Sequence, residues 1–455
     1  MSVTRVFVAN RGEIAVRVIK ACKNLGIGTV AAVSAADRDS LAARIADRTV
    51  CIGPPRSTDS YLKTETLIAA AQATGCDALH PGYGFLSERA ELAEACAKSN
   101  ITFVGPSVDN ITQMGDKLAA RRIAQSSGVP TVPGSDHAKN PQEAVAAAKK
   151  IGYPVLLKAS AGGGGRGIKL VRNAGEMQTT FGTAAAEARA AFGSDTLYME
   201  RYVGNARHIE VQVLGDHCGD VVHLGERDCS LQRRHQKIIE EAPAYALSQD
   251  VRDKICNAGA ALARSIGYRN AGTVEFIYDN DTQEFYFLEV NTRIQVEHPV
   301  TEMITGVDLV AQQLLIARGQ PLPFKQADLQ LHGHAIECRI NAESPQHGFR
   351  PCPGHIAEWQ PPHGIGIRLD SHCYPGYFVP PYYDSLLAKL IVHGSDRTEA
   401  ADRMKQALAS FRVKGIDTGI PFLQTIIDDS DYRSGKVNTC WLEQKLEEYS
   451  PSHAA

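Results

Sequence analysis

The chain has 455 residues, 44% of them hydrophobic and 22% charged, with a formal net charge of −3. That length exceeds one compact core and implies two or three domains. The near-balanced charge argues against a general nucleic-acid binder, and no apolar run approaches the ~20 residues that span a membrane. The 11 scattered cysteines include no C-x-x-C pair and read as buried thiols rather than a metal–thiolate site. An N-terminus without a signal core or transit composition points to a cytoplasmic protein.

Residues 6–9 form an apolar run, and Ile14, Ala15, Val18, Ile19, Cys22 and Leu25 recur at helical spacing. Further strands are predicted over 29–33, 77–80 and 102–104, with a helix over 67–73. Alternating strands and helices imply a parallel sheet covered on both faces, with ligands outside the carboxyl ends of its strands. Asn10-Arg11-Gly12-Glu13, Pro81-Gly82-Tyr83-Gly84 and Gly105-Pro106 follow those ends. Gly26, Gly28 and Ala31 match a dinucleotide fingerprint but precede a strand instead of opening a helix, so that reading fails.

From 114 to 204 the pattern is α+β and reads as a small lid. It comprises an Ala-rich helix over 143–151, strands over 155–158 and 168–171, a second Ala-rich helix and a strand over 197–200. Residues 207–319 are richer in strands. A Pro/Gly-rich segment then leads to strands and a final helix over 399–411.

Between two lid strands lies Ala161-Gly162-Gly163-Gly164-Gly165-Arg166-Gly167. Consecutive glycines lose much entropy on ordering and make sense where backbone N–H groups must approach phosphate oxygens. A flexible hairpin tip is the other reading, and no Walker lysine follows. Lys158, ending the strand before the loop, favours phosphate. Further on, strands over 272–278 and 284–291 fold about a turn that sets Glu275 roughly opposite Glu289. Two such carboxylates destabilise a sheet unless a hard cation joins them, and with Asn291 they make an all-oxygen set suited to Mg²⁺. Solvent or arginine partners are the alternative. Asn291-Thr292-Arg293-Ile294-Gln295-Val296-Glu297-His298-Pro299 then packs a cation, an amide, a carboxylate and an imidazole into one turn. The stretch Glu226-Arg227-Asp228-Cys229-Ser230-Leu231-Gln232-Arg233-Arg234-His235-Gln236-Lys237 reads either as a salt-bridge network or as a small-oxyanion site centred on Lys237.

These motifs resemble the biotin carboxylases. The likeness includes Ala9 to Ala15, His80 to Glu88, Met114-Gly115-Asp116-Lys117, the glycine loop, Glu226 to Lys237, Glu289 to Thr301 and Gly333 to Glu343, in that order. It runs from Val3 to about Leu446. It implies a Rossmann-like N-terminal domain (1–113), an ATP-grasp domain (114–330, lid about 131–204) and a β-rich C-terminal domain (331–446). It also implies ATP, Mg²⁺ (or Mn²⁺) and biotin as a carrier-bound substrate.

By the same resemblance, Lys117 and Lys158 hold ATP phosphates, Gly164 and Gly165 close over them, and Glu200, Arg201, Tyr202, Val203, His208 and His235 contact the nucleotide. Glu275, Glu289 and Asn291 hold the metal. Lys237, Arg293, Gln295 and Val296 receive bicarbonate, Glu297 is the base, Arg339 stabilises the biotin enolate and Tyr83 lies near the biotin ring. Ala161 departs from the family by standing where a fifth glycine is common. Met404-Lys405 lacks the Ala-Met-Lys-Met setting of biotin attachment, so the biotin carboxyl carrier protein and the carboxyltransferase subunits are expected as separate chains. A homodimer is expected too, with acetyl-CoA as the acceptor ahead of pyruvate, 2-oxoglutarate, propionyl-CoA or urea. Another ATP-grasp carboxylate–amine ligase, or a scaffold without catalysis, would not need Arg339 and Gln295-Val296-Glu297-His298-Pro299 together.

Overall fold

The computed structural model describes residues 3–138, 140–160 and 167–448. Its first element, strand Arg5–Val8, is buried, as its apolar run requires, and feeds the amphipathic helix Gly12–Asn24. Strand Arg5–Val8 sits at the centre of a five-stranded parallel sheet, flanked by Gly28–Val33 and Arg48–Cys51 on one side and by Ala78–His80 and Thr102–Phe103 on the other. The loops after its two central strands are tied together. The Asn10 side-chain amide donates to the carbonyls of Pro81 (2.6 Å) and Tyr83 (2.7 Å). Gly82, at φ +62°, must be glycine there, since a Cβ would sit 2.9 Å from Asn10 Nδ2.

The three expected lid strands and one the sequence reading did not include, Gly134–Ala138, form a four-stranded antiparallel sheet, in the order Gly134–Ala138, Leu197–Arg201, Val155–Ala159, Ile168–Val171. Helices Pro141–Ile151 and Ala174–Phe192 pack with it around Val155, Leu157, Met177 and Met199.

The largest sheet has eight antiparallel strands, in the order Phe285–Asn291, Asn270–Asp279, Ala206–Gly215, Val221–Arg233, Gln236–Ala242, His334–Asn341, Leu386–Gly394, Ile367–Ser371. The expected boundary near 330 therefore does not divide two sheets. Strand His334–Asn341 hydrogen-bonds directly to Gln236–Ala242, because a strand with an open edge gains a full ladder by pairing. Helix Arg397–Ser410 matches the sequence expectation but is not the last. Ile420–Asp428, Ser430–Arg433 and Trp441–Glu448 follow and bury Ile426, Tyr432 and Leu442 in the C-terminal core. Short periodic segments after the Pro/Gly-rich stretch carried too weak a signal to be read as helices. Among the described residues, no single helix is long and apolar enough to cross a membrane.

Candidate active site

Four neighbouring strands of the large sheet carry one row of charge. Glu210 lies opposite Arg227 on one side and Glu275 on the other, and Glu275 lies opposite Glu289. Like charges facing one another across strands are destabilising. A metal is the remedy expected from sequence, with solvent or arginine as the alternative. The structure places other cations there. Lys237, reaching in from the next hairpin, donates to Glu210 (2.5 Å), Glu275 (3.1 Å) and Glu297 (2.6 Å). Arg227 holds the other Glu210 oxygen at 2.5 Å, His208 Nε2 lies 3.0 Å from Glu275, and Lys117 lies 3.1 Å from the half-exposed Glu289. The contacts of the 226–237 stretch match the first of its two readings. It is a salt-bridge network, and its lysine stands at the centre of the acidic row.

Burial lowers the Lys237 ammonium, but the three glutamates outweigh it and hold Lys237 well above the usual lysine range. Burial likewise lowers His208, and Glu275 raises it above the ordinary imidazole value. Against the upward push of burial, Lys237, Arg339 and Arg227 keep Glu297 well below the usual carboxylate range. Glu297 is fully buried, and both its oxygens are engaged: one by Lys237, the other by Arg339 at 2.8 Å. It also occupies the N-cap position of helix His298–Thr305, without a side-chain capping bond, where the positive helix end favours its charge. Arg339 turns a second edge to Glu240 at 2.6 Å. Arg293 spans Glu88 (2.9 Å), Gln295 (2.8 Å) and Asn291 (3.1 Å), and Gln295 donates to Glu275 at 3.3 Å. The Val296 carbonyl accepts from Lys389 at 2.8 Å.

The three residues expected to hold a metal stand together, and the donor set, two carboxylates and an amide oxygen, is of the kind a hard cation takes. Glu275 and Glu289 are in register, and Asn291 shares the face of Glu289 two residues on, its Oδ1 accepting from Arg293 at 3.1 Å. Glu289 stands half-exposed at the rim where Lys117 arrives, with Glu275 and Asn291 buried beside it.

A second acidic anchor lies on the lid sheet, where Glu200 is buried between Lys158 (2.5 Å) and Arg121 (2.6 Å). Val203 is buried close by in sequence, but the side chains of Arg201 and Tyr202 engage Tyr286 and Cys440 instead of the central cluster. Strand alternation sends the Glu200 and Arg201 side chains to opposite faces. His235 is exposed at the tip of the Val221–Arg233/Gln236–Ala242 hairpin, where Arg234 and His235 adopt positive φ (49° and 65°), outside the buried cluster. Gly164 and Gly165 lie outside the described residues. Tyr83 donates to Glu13 from the crest of the parallel sheet.

Sequence reasoning missed Glu210, Glu240, Glu337, Arg121 and Lys389. In Ile209-Glu210-Val211-Gln212-Val213, polar and apolar residues alternate, the same pattern that a strand with one wet face produces. Nothing local distinguishes a face turned to solvent from one turned to a substrate cleft.

Comparisons with known proteins agree with this geometry. Three family models match the chain: "Biotin carboxylase, N-terminal domain" at residues 2–111, "Carbamoyl-phosphate synthase L chain, ATP binding domain" at 116–325 and "Biotin carboxylase C-terminal domain" at 337–444. Biotin carboxylase 1 of Bacillus subtilis is 51% identical over 97% of this chain and 98% of its own length. A pyruvate carboxylase subunit of Methanothermobacter thermautotrophicus is 48% identical over 97% of this chain and 90% of its own length. The crystal structure of the Campylobacter jejuni biotin carboxylase–β-γ-ATP complex superposes with a TM-score of 0.94 at 46% identity, covering 97% of this chain and 99% of that one. The Hydrogenobacter thermophilus 2-oxoglutarate carboxylase biotin carboxylase domain dimer, solved with MgADP and bicarbonate, superposes at 0.93 with 49% identity, covering 98% of each. The chain belongs to the biotin carboxylase family, ATP-grasp enzymes that use ATP and Mg²⁺ to carboxylate biotin.

Proposed function

We propose that this chain carries out the first half-reaction of an acetyl-CoA carboxylase, carboxylating biotin on a separate carrier protein with the residues assembled around Lys237. The observation that carries the reading is that Glu297 lies between two cations, Lys237 and Arg339, which approach it from opposite sides.

Bicarbonate binds Lys237 and Arg293, with Gln295 and the Val296 backbone beside it. An anion competing for Lys237 removes one of the charges that hold Glu297 down, so the base strengthens as its substrate arrives. Glu297 takes the bicarbonate proton, and the anion attacks the γ-phosphorus of ATP, breaking its bond to the β-phosphate oxygen so that ADP leaves and carboxyphosphate forms. Glu275, Glu289 and Asn291 would hold Mg²⁺, which when bound would neutralise charge at the phosphates. Lys117 and Lys158 orient the triphosphate and balance the charge that develops on the transferred group. Carboxyphosphate breaks down to CO₂ and phosphate, the phosphate removes the biotin ureido proton, and the resulting enolate, held by Arg339, attacks CO₂. Engaging Arg339 with biotin frees the second oxygen of Glu297 in the same step.

Gly164 and Gly165 are assigned to closure over the phosphates, Glu200, Val203 and His208 to the nucleotide site, and Tyr83 to the biotin side. The carboxyltransferase subunits, a homodimeric assembly and a cytoplasmic location belong to the same reading.

The test is ADP release with free biotin. Release that needs ATP, Mg²⁺, bicarbonate and biotin together supports the assignment. Release indifferent to bicarbonate overturns it in favour of a carboxylate–amine ligase. Labelled bicarbonate in extracts reconstituted with the chain then reads the acceptor. Label in malonyl-CoA supports acetyl-CoA, and label in oxaloacetate or another carboxylated product replaces it.

A further inference from the structure

Lys389 lies in the middle of strand Leu386–Gly394 and is fully buried. An apolar side chain would suit that position better if packing were its only task, because a buried ammonium is costly unless every donor is used well. Its neighbours in the ladder are Arg339 on one side and Asp370 on the other. Its ammonium points out of the sheet at two groups that lie far away in sequence. It donates to the Val296 carbonyl at 2.8 Å and pairs with Glu13 at 3.1 Å. The Glu13 oxygen that faces it also accepts from the Tyr83 hydroxyl.

An unbroken chain therefore runs from Tyr83 through Glu13 and Lys389 to the peptide that joins Val296 to Glu297. It links the crest of the parallel sheet, the far side of the large sheet and the loop that presents the base. Arg339, directly opposite Lys389 in the ladder, reaches the Glu297 carboxylate itself, so one pair of strands holds both the backbone and the side chain of Glu297.

We infer that Lys389 and Glu13 are positioning residues for biotin carboxylation, fixing the Val296–Glu297 peptide relative to Tyr83. The inference rests on the roles proposed above for Glu297 and Tyr83. Neither residue touches substrate. Lys389 acts through the Val296 carbonyl, and Glu13 acts through Tyr83 and Lys389. A loose turn would leave MgATP binding intact, since Lys117, Lys158 and Glu289 belong to other elements, but would misplace the base against bicarbonate and biotin.

Lys389→Met, Glu13→Gln and the double variant, which removes both members of the Lys389–Glu13 pair together, test this beside the unaltered chain. The assay is ADP release with free biotin, paired with amide hydrogen exchange over residues 297–300. In Lys389→Met, kcat is expected to fall roughly 10–100-fold, the scale of lost supporting contacts, with a raised KM for biotin, an unchanged KM for ATP and faster exchange at His298 and Val300. The Glu13→Gln variant, which keeps its size and an acceptor oxygen, should lose less. A folded double variant with unaltered kcat, biotin KM and exchange overturns the inference. Should Lys389→Met not fold, unaltered values in Glu13→Gln overturn it. If the unaltered chain itself releases no ADP in response to bicarbonate and biotin, the proposed function has failed instead.

Discussion

Glu240 and Glu241 are adjacent on strand Gln236–Ala242, and their side chains serve opposite faces. Glu241 is saturated: Arg397 grips it with two nitrogens (2.7 and 2.9 Å) and His334 donates at 2.8 Å. Burial pushes its carboxyl up, yet Arg397 and His334 hold it well below the usual range. Glu240 shares Arg339 with Glu297, leaves one oxygen buried without a partner and faces the buried Glu337 directly across the ladder. Burial pushes Glu240 up to about 7, with Arg339 only partly opposing it. Two neighbouring residues of the same type thus differ in whether their partners are exclusive. A structural ion pair satisfies every atom, whereas a catalytic cluster keeps its cations shared, so that an arriving substrate can take one.

The comparison is broken most severely at the shared cation. Arg339→Ala should lower biotin carboxylation about 10³-fold, the upper scale for removing one charge-stabilising donor, while ATP binding measured by calorimetry stays close to unaltered. A parallel loss of ATP affinity would show that Arg339 serves the whole site and not biotin. On the structural face, Arg397→Met should cost about 3–5 kcal/mol in urea unfolding because it strands Glu241. The kcat of the folded protein should be unaffected, and a large loss of kcat would erase the distinction between the two faces.

Glu289→Gln tests the rim. It should raise the Mg²⁺ concentration for half-maximal activity about tenfold, and an unmoved titration would remove Glu289 from the metal set.

The smallest and sharpest effect is in pH dependence, where the adjacent glutamates have opposite signs. Glu240 is raised in the folded state, so its contribution to stability is full below its ordinary value of 4.5 and is lost as pH rises through about 7. Glu241 is lowered, so its contribution is present above 4.5 and is lost as pH falls. Urea midpoints followed from about pH 2 to 8 should therefore lose their neutral-side decline in Glu240→Gln and their acid-side decline in Glu241→Gln. Identical profiles for the two variants would refute the contrast.

Much of this was legible in the residues. The Glu275/Glu289 register followed from a hairpin whose turn is written in Asp279-Asn280-Asp281-Thr282-Gln283, and the crest loops followed from strand ends in a parallel pattern. The side-chain directions of His235 and Tyr202 were not legible, because a two-residue turn and the residue after a strand end take their direction from the tertiary packing.

The sequence by itself determined the family, the order of the elements and the chemistry of the carboxylates, lysines and arginines, because these depend on local pattern and on residue type. Only the tertiary structure decided that Lys237 faces three glutamates, that Glu297 is held from two sides, that Glu241 is sealed by Arg397 while Glu240 is not, and that Lys389 reaches the Val296 carbonyl. Those pairings join residues far apart in the chain. Their strength depends on burial and on which cation is shared, and both quantities arise only when the sheets close over one another.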